Sequence, residues 1–300
     1  MTEDSLPFVS VIVPVYNDQT GIARCLDALR SQTYPDDLFE VLVVDNGSTD
    51  DTRAAIREFD VELLVEDEIQ GSYAARNRGI EDAAGSVLAF TDADCTPDSN
   101  WIEAGVETLQ AEDADLVGGR VVFDFSAQKT AAERFDASVN MRNDQSVRDG
   151  VAKTANVFVR RTVVDDIGLF PSHLPSGGDV HWTQAATDSG YRLVYGEQAI
   201  VHHPSRDLAE LLRKQYRVGT GQIQIWRLQE QSAAGIMLVG AVAFPMKVVR
   251  FLFDTEVTEE TDREIPSDRD IEKGIDVAAV AGFCIIMMNI GRIVGLLKRD

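Results

Sequence analysis

Gly85-Ser86-Val87-Leu88-Ala89-Phe90-Thr91-Asp92-Ala93-Asp94 is the stretch on which the fold turns. Residues 87–91 read as a short buried strand, and two carboxylates follow where that strand emerges. In an open α/β sheet, ligands bind beyond the carboxyl ends of the strands. Two Asp side chains one residue apart at such an end suit a hard divalent cation and, through it, a diphosphate. Spacing alone decides nothing in a chain this rich in Asp. Asp92/Asp94, Asp113/Asp115 and Asp268/Asp270 all fit the pattern, and only the first closes an apolar strand.

Outward from that stretch, strands and helices alternate. Residues 8–15 are an apolar β-branched run, and Asn17-Asp18 offers a turn and a helix cap before the stripe Ile22, Cys25, Leu26 and Leu29. A second strand at 40–44 closes on Asp45-Asn46-Gly47-Ser48-Thr49-Asp50, a loop of turn formers that caps a helix starting near Asp51. Residues 61–65 form a third strand, and 71–82 form a helix carrying Arg76, Asn77 and Arg78. Short connections between alternating elements demand a parallel sheet with right-handed crossovers. Neither a Gly-X-Gly-X-X-Gly nor a Gly-X4-Gly-Lys-Ser/Thr motif follows any strand, which argues against dinucleotide and Walker-type sites. Carboxylates stand at three strand ends instead: Asp18, Asp45, and Asp92 with Asp94. They can hydrogen-bond a base or ribose, or hold phosphate through a metal.

Val9-Ser10-Val11-Ile12-Val13-Pro14-Val15-Tyr16-Asn17, Val43-Val44-Asp45-Asn46-Gly47-Ser48-Thr49-Asp50, Ala75-Arg76-Asn77-Arg78-Gly79 and Thr91-Asp92-Ala93-Asp94 resemble, in order, the family 2 glycosyltransferases of the GT-A fold. The likeness runs from residue 8 to about 220. It implies an α/β fold with a mostly parallel central sheet, and a nucleotide-diphospho-sugar donor. Pro14, Tyr16 and Asp18 would border the nucleobase and ribose, Asp45 would contact the base and Asp92 the ribose. Asp94 would hold Mg2+ or Mn2+ on the diphosphate. Relatives often carry a Lys before the Arg-Asn helix; Gln70-Gly71-Ser72-Tyr73 stands there, leaving Arg76 as the cation.

Further along, 115–125 reads as a strand in which Gly118-Gly119 permits close backbone approach. Residues 154–158 resemble the family's strand under the acceptor site. Ser176-Gly177-Gly178-Asp179-Val180-His181-Trp182 resembles its Gly-Glu-Asp-X-Asp segment, with Gly178 and His181 replacing two acids. Asp179 keeps the position of the general base; a plain helix cap is the competing reading. Of His202 and His203, strand alternation lets one face the site, and His203, just before Pro204, matches the family's metal ligand. Arg213 and Arg217 lie in a segment similar to the family's basic helix beside the donor diphosphate.

Charge bounds the partners. Fifty acidic residues face 28 basic ones, a formal −22, and 31 of the acids are Asp while only 6 residues are Lys. Such a field opposes nonspecific nucleic-acid binding. Spread through the chain, it fits a salt-rich cytoplasm such as that of a halophilic archaeon, where screening relieves self-repulsion. Cys25, Cys95 and Cys284 lack any disulfide or zinc spacing, which points to a reducing compartment. The acidic N-terminus is not that of a secretory signal.

Residues 232–246 and 277–291 are uncharged runs of fifteen, short of the 18 expected of a spanning helix. Lys247, Arg250 and Arg292 interrupt them, and Gly235, Gly240, Gly282 and Gly291 would let the pair pack closely. The expectation is a membrane-associated helical hairpin at 232–300, spanning or interfacial. A basic helix at 206–231 precedes it. The catalytic domain occupies 1–205, with a nucleotide half at 1–112 and an acceptor half at 113–205. Basic flanks on both sides place the domain on the cytoplasmic face of the cell membrane. The function expected is inverting transfer to a lipid-linked or saccharide acceptor. A polyprenyl-phosphate sugar synthase and a noncatalytic sugar-nucleotide-binding relative are the alternatives; a nucleotidyltransferase lacks its Gly-rich triphosphate loop.

Overall fold

The computed structural model describes residues 6–228 and 268–297. They divide into two compact units. The first holds the described residues up to Asp124, Met141–Leu174 and Gly178–Pro204; the second holds Phe125–Asn140, Pro175–Gly177 and the described residues from Ser205. The first unit is built on strands β1 (Val9–Val15), β2 (Phe39–Asp45), β3 (Glu62–Val65), β4 (Val87–Thr91), β5 (Thr96–Pro97), β6 (Leu116–Asp124), β7 (Asn156–Arg160) and β8 (Leu193–Pro204). Helices α1 (Gln19–Leu29), α2 (Thr52–Ile56), α3 (Ser72–Asp82) and α4 (Trp101–Ala111) alternate with the first strands. Then come α5 (Ala131–Val139), α6 (Asn143–Ser146), α7 (Arg161–Ile167), α8 (Gly178–Asp188), α9 (Leu208–Leu228) and α10 (Asp268–Leu297).

The strand order is β3-β2-β1-β4-β7-β6-β8-β5. β1 and β4 are buried at every position, as apolar runs covered by helices on both faces must be. The expected parallel arrangement holds across β3-β2-β1-β4. It gives way at β7, which runs antiparallel to β4 and β6, so the sheet as a whole is mixed. After α4 the chain returns as β6 in the same direction as β4, and only the excursion through α5 and α6 brings β7 in from the other end. Pro14 is tolerated because β4 pairs with β1 only as far as Ile12. α1 buries the anticipated stripe Ile22, Cys25, Leu26 and Leu29, capped by Asp18, whose side chain accepts from Gly21 N.

β7 begins two residues later than the sequence indicates, after a turn closed by Asn156 N donating to Lys153 O. The buried Asn156 amide then sets the rest of the sheet. Its Nδ2 donates to Arg120 O and Ala199 O, each at 2.8 Å, and its Oδ1 accepts from Trp101 Nε1. Those carbonyls flank the irregularity between Gly119 and Arg120, where β8 carries extra residues opposite β6. The glycine pair is therefore approached by side chains and not by backbone: Val147 and Ala152 at Gly118, Asn156 at Gly119. Beyond the bulge β8 continues to β5, pairing His202 with Thr96 and Val201 with Pro97.

The second unit packs α5, α9 and α10 around Phe135, Leu211, Val280, Ala281 and Cys284. Asp136 is fully buried and is satisfied by Arg206 Nη1 (3.1 Å), Asn140 Nδ2 (2.6 Å) and Lys214 Nζ (3.7 Å). α9 and α10 approach backbone to backbone: a Cβ on Gly219 would collide with Met288 O, and one on Gly291 with Tyr216 O. Gly291 thus serves the basic helix, whereas Gly282 meets no described atom within 4 Å. Arg292 does not break the apolar run, because it turns inward to Gln222 Oε1 (2.9 and 2.7 Å) and Asn289 Oδ1 (2.8 Å). The run extends accordingly: Asp276–Leu297, 22 residues, is long and apolar enough to cross a membrane. The first run, 232–246, and most of the acidic loop after it lie outside the described residues.

Candidate active site

The sheet's parallel strands end in loops tied to one another. Asn17 Oδ1 accepts from Thr49 N, Asn17 N donates to Ser48 Oγ, and Asp18 N donates to Thr52 Oγ1. Tyr16 stands exposed beside them, while Pro14 is buried within β1. Asp45, at the end of β2, is wholly buried. Its Oδ2 accepts from Arg53 Nε (2.6 Å) and Ser48 N (3.1 Å), and its Oδ1 is buried without a partner among the described residues. Such an orphan acceptor lacks the donor that buried carboxylate oxygens ordinarily have. Asn46 ties the next loop down, taking Gly71 N and Gln70 Nε2 on Oδ1, so Gln70 is a structural residue.

Asp92 and Asp94 diverge as they leave β4. Asp92 Oδ1 accepts from Arg76 Nη2, whose guanidinium is 4% exposed against 27% for the carboxylate. Arg76 is thus buried beneath Asp92. Asp94 Oδ2 instead faces His203 Nε2 at 3.6 Å. His203 is buried, and its Nδ1 lies 2.6 Å from Pro204 O. A carbonyl only accepts, so Nδ1 carries the hydrogen, and Nε2 is the ring atom turned toward Asp94 that can ligate a metal. His202, one residue away, points elsewhere and pairs with Asp98 and Asp124, as strand alternation requires.

Asp94, His203 and Cys95 together offer a metal three ligand atoms within 4.8 Å of one another. Cys95 carries no spacing signal in the sequence. Burial, then the charges of Asp94 and Asp92, push its thiol well up, which leaves it a neutral neighbour of Asp94. The oxygen and imidazole pair suits a hard divalent cation better than a protonated thiol does. Cys25, buried under the same strand ends, is also raised, by burial and then by Asp94, Asp92 and Asp18. The three carboxylates thus all bear on one buried thiol.

Asp179 lies at the start of α8, half-buried, on the same unit. Its Oδ1 accepts from Tyr73 Oη (3.0 Å) and Val180 N (2.9 Å). Its Oδ2 has one long contact, Thr154 N at 3.4 Å. Asp179 is the second residue of α8, so it bonds Val180 N from inside the first turn and not from the cap position, and its Oδ2 has the longer contact. Gly178 is where the family's Glu would stand, and the Tyr73 ring occupies that ground. Nothing in the sequence marks Tyr73. Arg213 and Arg217 belong to the second unit, exposed and four residues apart on one face of α9.

The sequence profile described as Glycosyl transferase family 2 matches residues 10–164. The chain is 46% identical to the glycosyltransferase AglE of Haloferax volcanii over 99% of this chain and 98% of that protein. It is 29% identical to the glucosyl-dolichyl phosphate glucuronosyltransferase of the same organism, over 65% and 68% of the two chains. Among solved structures, a mannosyltransferase from Pyrobaculum calidifontis in complex with GDP-Man and Mn2+ aligns with a TM-score of 0.70 at 19% identity, covering 99% of this chain and 89% of that one. The fold is shared, and a salt-loving relative accords with the acidic composition.

Proposed function

The chain belongs to glycosyl transferase family 2, and we propose that it transfers one sugar, with inversion, from a nucleotide-diphospho-sugar to a hydroxyl of a polyprenyl-linked saccharide. The observation that carries this is the placing of Asp94 Oδ2 against Nε2 of His203, 3.6 Å apart beyond β4. Mg2+ or Mn2+ held by Asp94 and His203 would neutralise the diphosphate as it departs, and the Mn2+ of the mannosyltransferase relative supports such a site.

The remaining work falls to the protein. Asp45 Oδ1 takes an N–H of the base, with Tyr16, Pro14 and Asp18 bordering base and ribose. Asp92, fixed by Arg76, takes a ribose hydroxyl. The resemblance assigns Arg213 and Arg217 to the donor diphosphate. Asp179 removes the proton of the acceptor hydroxyl at Oδ2, the oxygen left open by its other contacts. The freed oxygen attacks the anomeric carbon as the bond to the diphosphate breaks on the opposite face, the transfer counterpart of single-displacement hydrolysis.

Two observations support a lipid-linked acceptor. One is the relative named for glucosyl-dolichyl phosphate. The other is the exposed apolar row Phe283, Ile286, Ile290, Ile293 and Leu297 along α10. We assign the catalytic domain, 1–205, to the cytoplasmic side of the cell membrane, where nucleotide sugars are made, with 232–300 docked on or through the bilayer. Mass analysis of lipid-linked glycans in a strain lacking the gene tests the assignment. A saccharide truncated by one sugar is expected, and an unchanged glycan pool refutes it.

A further inference from the structure

Tyr73, at the second position of α3, is 6% exposed and held on three sides. Phe170 lies against its ring at a centroid distance of 6.1 Å, and the Arg76 guanidinium sits over it at 5.7 Å. The third side is the bare Cα of Gly178: a Cβ there would lie 2.8 Å from Tyr73 Cε2. A ring so confined has one place for its hydroxyl, and that place is Asp179 Oδ1 at 3.0 Å. Burial, then the Asp179 charge, push the hydroxyl well above the ordinary tyrosine value, so it stays a protonated donor.

We propose that Tyr73 is a positioning residue for the transfer, holding the Asp179 carboxylate so that Oδ2 faces the acceptor, and that Gly178 is glycine to admit its ring. The inference rests on the reading of Asp179 as the base. A carboxylate that must take a proton along one line loses rate when free to rotate, and its Oδ1 partners fix that rotation. Val180 N anchors Oδ1 from the helix side, within the same local backbone. Tyr73 anchors it from a different element, 106 residues away in sequence. The same ring receives Arg76, which holds Asp92, so one side chain registers the base against the donor-side pair.

The test compares wild type with Tyr73→Phe, Asp179→Asn, their double variant and Gly178→Ala. Turnover is read as UDP or GDP released, using whichever of a panel of UDP- and GDP-sugars the wild-type protein consumes. MnCl2 is present, and lipid extract from the deletion strain supplies the acceptor. Tyr73→Phe keeps the ring and removes the hydroxyl, so kcat should fall about tenfold with donor KM within about twofold, the signature of a contact that matters to the reaction and not to binding. Beside Asp179→Asn the same change should alter kcat by less than about twofold. Gly178→Ala retains the hydroxyl but displaces the ring, and should reproduce the kcat loss. Wild-type kcat in Tyr73→Phe, with Asp179→Asn impaired, overturns the inference and leaves the base assignment standing. Fully additive losses in the double variant also overturn it. Wild-type kcat in Asp179→Asn removes the base assignment itself, and Tyr73 with it.

Discussion

Arg76 and Asp92 should answer unequally to removal of their partner. The guanidinium is 4% exposed and the carboxylate 27%. Asp92→Ala therefore strands a buried cation, whose remaining partners are Ser72 O at 3.4 Å and the Tyr73 ring at 5.7 Å. Breaking a buried pair from one side costs about 3–5 kcal/mol, and the ring returns part of that, so about 3 kcal/mol is expected. Arg76→Met fills the same volume and leaves a carboxylate that water can reach, for about 1 kcal/mol. The assay is urea unfolding at fixed KCl, so that ionic strength stays constant along the titration. The chain has three Trp residues, Trp101, Trp182 and Trp226. In a Trp226→Phe background, fluorescence reports only Trp101 and Trp182 of the first unit. Equal losses, or a larger loss for Arg76→Met, would refute the burial argument.

Three further outcomes follow from the same structure. Asp94→Ala should lower transfer at least about 10³-fold, while Asp113→Asn, exposed in the Asp-X-Asp triplet that precedes the start of β6, should stay within about twofold; equal effects would dissolve the distinction. Gly219→Ala places a Cβ against Met288 O and the α10 backbone, and should destabilise the second unit by about 1–3 kcal/mol, read from Trp226 fluorescence in detergent. Burial opposes ionisation of Glu133, but hydrogen bonds from Ser126 and Thr130 win and hold its carboxyl down at about 2 against an ordinary 4.5. A depressed carboxyl stabilises above its unfolded value and loses that contribution as pH falls through the folded one. The second unit should therefore weaken between pH 4.5 and about 2, and Glu133→Gln should flatten that decline; an unchanged slope contradicts the reading.

Local chemistry announced part of this molecule. β1 and β4 are buried at every position, so their apolar β-branched runs name both the strands and the layers covering them. Alternation lets only one of His202 and His203 face the site, the resemblance picks His203, and the structure turns the two to different partners. What the sequence withheld depends on pairings across the fold. The antiparallel entry of β7 follows from a long excursion between β6 and β7 that no strand pattern records. Arg292 reads as an interruption of an apolar run because its acceptor, Gln222, is 70 residues away. Tyr73 reads as one helix residue among others until Gly178, more than a hundred positions on, makes room for its ring. Composition cannot show that a glycine and a tyrosine so far apart in the chain face each other.

The central claim is single displacement, driven by one carboxylate from one face. The anomeric configuration of the product tests it most directly, read by NMR from the transferred sugar after reaction with an α-linked nucleotide sugar. Single displacement yields a β-linked product. An α-linked product would require a second displacement or front-face attack, and would contradict the role given to Asp179.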